Sequence, residues 1–157
     1  MRRLIEPEIV QNDALSGLLL WAFTKEFCAK QPAGVALLWF SPVLPLVFHH
    51  DTVKAVSHRR FDGGIYLALT EDRTLVSGLQ HRMESMMAQT FAGLNLAVAS
   101  KLLKLDDNRQ RVTSLRRTEP MPLGGKIKPL IATAERFGYW FGSSTPEEVV
   151  SLLQIRF

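Results

Sequence analysis

The chain has 157 residues, of which 46% are hydrophobic and 22% are charged. This is the length of one ordinary domain, and the apolar content is enough for a packed core. The single cysteine excludes an internal disulfide and a metal site built from several cysteines. The mean hydropathy of +0.04 is high for a soluble monomer, which is a mild indication that apolar surface meets a partner.

The net charge of +4 is distributed unevenly along the chain. Residues 101–128 hold eight basic and three acidic side chains, a net charge of +5, so the remainder is slightly acidic. The basic ones are Lys101, Lys104, Arg109, Arg111, Arg116, Arg117, Lys126 and Lys128. A local basic patch of this kind suits a phosphate backbone or an acidic partner surface.

The longest apolar run, residues 33–48, is interrupted by Ser41, Pro42 and Pro45. It is too short and too broken to span a bilayer, so we expect no membrane segment. The single Cys28 fits a reducing compartment, and we expect a cytoplasmic protein.

The first predicted helix follows a tail at residues 1–11. Asn12 or Asp13 can cap its start, and Pro32 prevents its continuation. Lys25 belongs to its polar face. Its apolar side chains recur at helical spacing at Leu15, Leu18, Leu19, Ala22, Phe23 and Phe27.

Short apolar pieces follow the first helix. Residues 35–40 fit either a buried strand or one buried turn of helix, because periodicity does not separate the two. A short helix is predicted from Asp51 or Thr52 to Ser57. Thr70 is predicted to cap a helical stretch that continues to the basic hairpin.

Two helices and a hairpin are expected to organise the fold. The sequence predicts helices at residues 77–87 and 89–103, then a two-stranded hairpin at residues 103–115 with a polar turn at residues 106–108. This order is typical of the second half of a winged helix-turn-helix domain, whose core would cover about residues 70–118.

The C-terminal part is predicted to contain two further helices. The first covers residues 127–141 and ends at Gly142. Thr145 and Glu148 are placed to form a capping box for the second, with Pro146 in its first turn. The sequence therefore predicts one mainly α domain (α+β), with a winged-helix core and extra N- and C-terminal helices.

Residues with the chemistry of catalysis or metal binding are few. The one cluster of metal-ligand types is His49, His50, Asp51 and His58, whose spacing fits no metalloprotease helix, so we interpret it as a polar loop. Cys28 is interpreted as a buried, inert thiol. The two glycine pairs match no nucleotide-binding pattern. We therefore expect no catalytic, metal or cofactor residues.

The basic hairpin is the strongest functional signal in the sequence. Its side chains would contact a DNA backbone or a partner protein, or they would form a solvated edge that protects the strand from aggregation. Both interpretations stay open. The candidate contact residues are Lys101, Lys104, Arg109, Arg111, Arg116 and Arg117.

The helix before the hairpin is a weak candidate for reading bases. It contains no arginine that could contact guanine, and apolar residues occupy much of its circumference. Such a helix is buried in the domain or against another protein. Its exposed polar residues are predicted to be Gln89, Thr90, Asn95, Ser100 and Lys101.

Three motifs in a fixed order resemble one protein family. They are Leu-Pro-Leu-Val-Phe-His at residues 44–49, Leu-Leu-Lys-Leu-Asp-Asp at residues 102–107, and Arg-Phe-Gly-Tyr-Trp-Phe at residues 136–141. Over about residues 12–157 the chain resembles the middle component of three-component ABC ATPase systems, which belong to bacterial conflict and anti-phage gene clusters.

The resemblance implies a non-enzymatic adaptor between an SMC/Rad50-like ABC ATPase and an effector subunit of the same gene cluster. Apolar surface on the first and last helices would bind these partners, and the basic hairpin would contact DNA held by the ATPase. One alternative is a free-standing winged-helix transcriptional regulator that binds DNA as a dimer. Another is a small hydrolase that uses His49 or His50.

Overall fold

The computed structural model describes residues 12–157, so the predicted tail at residues 1–11 lies outside the described part. Short 3-10 helices stand at Leu37–Phe40 and Arg73–Val76. The strands are β1 (Val35–Ala36), β2 (Leu103–Asp106) and β3 (Arg111–Ser114). The α-helices are α1 (Asp13–Lys30), α2 (Val43–Val47), α3 (His50–Val56), α4 (Gly64–Glu71), α5 (Leu79–Ser85), α6 (Met87–Ala99), α7 (Lys128–Ser143) and α8 (Pro146–Leu153).

The chain is mainly helical and carries one small antiparallel sheet, which confirms the predicted α+β class. The strand order is β1-β3-β2. The predicted hairpin is present, with Leu103 opposite Ser114. A third strand joins it, because Val35 pairs with Val112. Residues 35–40 thus begin as a strand and continue as a 3-10 helix, and each of the two open interpretations covers part of the segment.

Helix α1 is the centre of the fold. It begins where predicted, with the Asn12 side chain accepting a hydrogen bond from the Leu15 backbone N–H. The run from Leu19 to Phe23 is fully buried, between α6 on one side and α7 on the other. Most of α1 is therefore enclosed by the fold, and the apolar surface that was expected on it for a partner is confined to its first turns, at Ala14 and Leu18. The polar face is also different from the prediction, because Lys25 is only 9% exposed.

Glycines allow α1 to approach both neighbours closely. A Cβ at Gly17 would lie 3.1 Å from the carbonyl oxygen of Gly93 in α6. On the other side, a Cβ at Gly138 of α7 would lie 2.1 Å from the carbonyl oxygen of Phe23. Gly142 approaches Phe27 one turn later, at 3.0 Å. Gly142 therefore lies within α7, which continues to Ser143, and the prediction that it ends the helix is wrong.

The segment before α5 also differs from the prediction. Thr70 is in the last turn of α4, where its hydroxyl donates to the Tyr66 carbonyl, so it is not a helix cap. Asp72 has that role, for the 3-10 helix, and its carboxylate accepts a hydrogen bond from the Thr74 N–H. Gly78 adopts a φ of +71°, which separates this turn from α5. The predicted helical stretch after Thr70 is therefore interrupted at Gly78, and the break between the two predicted helices falls at Met86.

Only one residue, Met86, separates α5 from α6. A helix-turn-helix motif has a turn of three to four residues. The order of two helices and a hairpin is confirmed, whereas the winged-helix description of residues 70–118 stays a prediction. The last predicted element, α8, is confirmed with its capping box, because Thr145 and Glu148 each bind the other's backbone N–H.

Candidate partner-binding surface

The six candidate basic residues form two groups of three, one on a face of the hairpin and one at its base. Lys104, Arg109 and Arg111 line an open, polar depression of about 670 Å³, together with the acidic Asp106 and Asp107. The other three lie at the base of the hairpin, where the chain enters β2 and leaves β3. They are Lys101, Arg116 and Arg117, and all three are exposed.

Arg111 holds the sheet to the loop after α1. Its Nη1 donates a hydrogen bond of 3.0 Å to the Gly34 carbonyl, and the residue is partly buried. Gly34 itself has a φ of +97°, and an added Cβ would lie 2.6 Å from the Val112 carbonyl oxygen, so the close approach of this loop to β3 requires glycine. An arginine that is used in this way contributes little to a surface contact.

Arg109 is free to reach solvent but is not the only charge at the tip. Its side chain is 76% exposed, and its Nε lies 3.8 Å from Asp106 Oδ2. The Asp106 carboxylate also accepts hydrogen bonds from the backbone N–H groups of Asn108 and Arg109, which fixes the turn. Because Asp106 and Asp107 are acidic, the tip attracts phosphate less than its arginines suggest.

The base of the hairpin is anchored to α1. The Trp21 indole N–H donates to the Arg116 carbonyl oxygen over 2.9 Å, which fixes the backbone and leaves the guanidinium exposed. Lys101 follows the end of α6 with a φ of +62°.

Burial raises the pKa of the Cys28 thiol, and the nearby Ser114 backbone and Arg117 charge oppose this effect. The thiol is thus protonated at neutral pH.

Helix α6 has a buried face and an apolar exposed face. Gly93, Leu94 and Ala97 are inside. Thr90 is only 2% exposed, so the prediction that it is an exposed polar residue is wrong. Among the large apolar side chains of the opposite face, Phe91 is 49% exposed and Leu96 is 39% exposed. The helix contains no basic residue.

Two apolar grooves lie at opposite ends of α6. The first, which we call the hairpin groove, has a volume of about 290 Å³ and includes Leu18, Leu96, Leu102, Arg116 and Met121. The second, which we call the C-terminal groove, has a volume of about 360 Å³ and includes Leu38, Met83, Met87, Arg156 and Phe157. The lining residues of the two grooves do not overlap.

Neither groove was predicted from the sequence. The C-terminal groove lies between the 3-10 helix at Leu37–Phe40, α5 and residues 156–157. Its outer side chains are well exposed, at 63% for Leu38 and 50% for Phe157. The sequence separation of the walls explains why periodicity did not reveal them.

His49, His50 and Asp51 lie at the start of α3 and not in the predicted polar loop, because His49 is the N-cap of that helix and the other two are its first residues. His49 Nδ1 lies 2.8 Å from the Thr52 hydroxyl at the start of α3. Burial lowers the pKa of His49, and the positive charge of Arg82 acts in the same direction. Within residues 12–157, no three His, Cys, Asp or Glu residues are grouped so as to hold a metal ion.

Between residues 12 and 157, no helix combines the length and the apolar character needed to cross a membrane.

The sequence was compared with known protein families, with curated proteins and with solved structures. Residues 2–157 match the family model of the ABC-three component (ABC-3C) system Middle Component 3. The chain belongs to this family. No curated protein and no solved structure gave a significant match.

Membership in the Middle Component 3 family confirms the resemblance seen in the three sequence motifs. A Middle Component 3 chain works with the other components of an ABC-3C system, so surfaces for those components are expected on it. Within residues 12–157, apolar surface is exposed on one face of α6, in the two grooves, and at Tyr66 and Leu67 of α4.

Proposed function

We propose that this chain is a non-enzymatic adaptor that bridges an SMC-like ABC ATPase and an effector subunit in a bacterial anti-phage defence complex. The observation that carries the proposal is the family match, which extends over residues 2–157. The match therefore covers nearly all of the sequence. The proposed partners are the ATPase and the effector of the same system.

Two separate apolar grooves support a bridging role. Leu96 in the hairpin groove and Met87 in the C-terminal groove are nine residues apart on α6. At a rise of 1.5 Å per residue, these positions are about 13 Å apart along the helix axis. Two partner segments can therefore bind at the same time without competing for the same side chains. Exposed apolar surface of this kind is typical of protein interfaces.

Contact with DNA is the second part of the proposal. Lys104 and Arg109 are exposed on one face of the hairpin, where they can neutralise backbone phosphates. The absence of basic residues from α6 argues against base reading by that helix. We therefore propose a sequence-independent contact, which suits an adaptor beside an ATPase better than a free-standing regulator.

Purification from the native gene neighbourhood tests the adaptor role. We expect a tagged chain to elute with the ABC ATPase and the effector subunit at fixed stoichiometry, measured by native mass spectrometry. Deletion of the gene for this chain is expected to separate the other two components. If the chain elutes alone and the other two components remain associated without it, the bridging role is wrong.

Neutralising the hairpin tests the DNA contact. The variant Lys104→Gln/Arg109→Gln, within its complex, is expected to bind a duplex of mixed sequence more weakly. Because each lost phosphate contact lowers the slope of log affinity against log salt by about one, the slope should fall by about two. The matched control is Lys54→Gln/Arg73→Gln, which also removes two exposed positive charges. Lys54 lies on α3, and Arg73 begins the 3-10 helix that precedes α5. Equal slopes for both variants would contradict the contact.

A further inference from the structure

The hairpin groove combines apolar walls with one unpaired charge. Leu18 of α1, Leu96 of α6 and Leu102 before β2 form its walls, and Met121 closes one end. Among the described residues that line it, Arg116 is the only charged one. Within residues 12–157, the Arg116 side chain has no carboxylate or other hydrogen-bond partner.

We propose that the hairpin groove binds an acidic, apolar polypeptide segment of another ABC-3C component, with a carboxylate of that segment paired to Arg116. This inference rests on the proposed adaptor function and names the chemistry of one partner. The apolar side chains of the segment fill the groove, and its carboxylate meets the guanidinium at the rim.

The requirement for a carboxylate follows from desolvation. A partner that fills the groove removes water from the Arg116 guanidinium, and a buried charge without a counter-charge is strongly unfavourable. The Arg116 carbonyl already accepts the Trp21 N–H, so the free hydrogen-bonding capacity at this residue is that of a cationic donor. A bidentate carboxylate satisfies it with the best geometry.

The charges that flank the groove leave Arg116 to decide its sign. Lys101 and Arg117 adjoin the lining residues Leu102 and Arg116 in the sequence, whereas Asp13 and Glu119 adjoin Ala14 and Pro120. These four charges cancel, so the groove attracts a carboxylate through Arg116 at contact and not through a wider basic field.

The open shape of the groove favours a polypeptide segment. The groove is open to the surface and bounded by exposed apolar residues, including Leu96 and the 55% exposed Met121. Such a groove accepts a few side chains of a longer segment, as in helix-in-groove recognition.

The test uses the full chain and its purified companion components. The variant Arg116→Glu is expected to weaken binding of one companion on the order of thirty-fold, because it places two carboxylates against each other. Met121→Glu is expected to weaken the same companion about ten-fold. The controls are Leu67→Glu and Lys54→Glu, which change a similarly exposed leucine on α4 and an exposed lysine on α3 and should leave binding within about two-fold.

A photo-crosslinker identifies the bound segment directly. With p-benzoylphenylalanine in place of Met121, we expect one crosslinked companion peptide with net negative charge. Replacing its Asp or Glu nearest the crosslink with Lys should restore binding to the Arg116→Glu variant. A crosslinked peptide with net positive charge, or no loss in the two groove variants while the wild-type complex forms, overturns the docking inference. If the wild-type chain forms no complex with either companion, the adaptor function fails as well.

Discussion

Replacing Gly138 by alanine is expected to lower the free energy of unfolding on the order of 3 kcal/mol. The added Cβ would lie 2.1 Å from the Phe23 carbonyl oxygen, and the atom that it meets belongs to the backbone of the central helix. Overpacking in a tight core costs typically about 1–3 kcal/mol, and the approach here is unusually short. The gain in helix propensity, about 1 kcal/mol, offsets only part of this cost. Urea unfolding measures the change.

The control for this prediction is Gly125→Ala. A Cβ at Gly125 would have no heavy atom within 4 Å, so the substitution should leave the urea midpoint nearly unchanged. In Gly142→Ala the added Cβ would lie 3.0 Å from the Phe27 carbonyl oxygen, a less severe clash, so its urea midpoint should fall between those of the other two variants. If all three variants unfold at the same urea concentration, α1 and α7 are not held at this distance.

The close contact between α1 and α7 shows where sequence reasoning succeeded and where it did not. The caps at Asn12 and Thr145 were predicted because each depends on hydrogen bonds within three residues. The contact of Gly138 with Phe23 joins positions that are 115 residues apart, and no local pattern at either position predicts it. Local chemistry thus determined the helix starts, whereas long-range packing determined which helix became the centre.

One signal in the sequence did indicate the central helix. Residues 18–23 form an unbroken apolar run, and a helix that is apolar on all sides is buried. The predicted face from Leu15 to Phe27 described only part of it. The break at Gly78 was missed for a different reason, because a left-handed residue between two short helical pieces leaves the helical spacing of apolar side chains almost unchanged.

The candidate site followed the same division. The hairpin and its turn were predicted from alternation and from the Asp106 turn chemistry, which are local. The use of Arg111 was not predictable in this way, because its hydrogen bond to Gly34 depends on the pairing of β1 with β3. The grooves depend on still more elements, so only the assembled structure reveals them.

The second large effect is expected at the buried ion pair of α1 and α7. Lys25 Nζ lies 2.9 Å from Glu135 Oε2, with the two side chains 11% and 23% exposed. The variant Glu135→Leu removes the close partner and leaves a buried ammonium group, with Glu26 at 3.7 Å as the remaining carboxylate. Breaking a buried pair costs about 3–5 kcal/mol, and Glu26 should reduce this to about 2–3 kcal/mol. Urea unfolding is again the measurement.

The double variant Lys25→Met/Glu135→Leu separates the pair from the packing around it. A buried ion pair replaced by apolar side chains of similar volume is often neutral, so the double variant is expected to unfold within about 1 kcal/mol of the wild type. The Lys25 ammonium also lies 5.0 Å from the Trp21 ring, a contact that methionine keeps in a weaker form. The single variant Lys25→Met completes the comparison. If the double variant loses as much unfolding free energy as Glu135→Leu and Lys25→Met lose together, the two charges act independently. In that case the position of α7 on α1 would depend on the glycine contacts and apolar packing rather than on this pair.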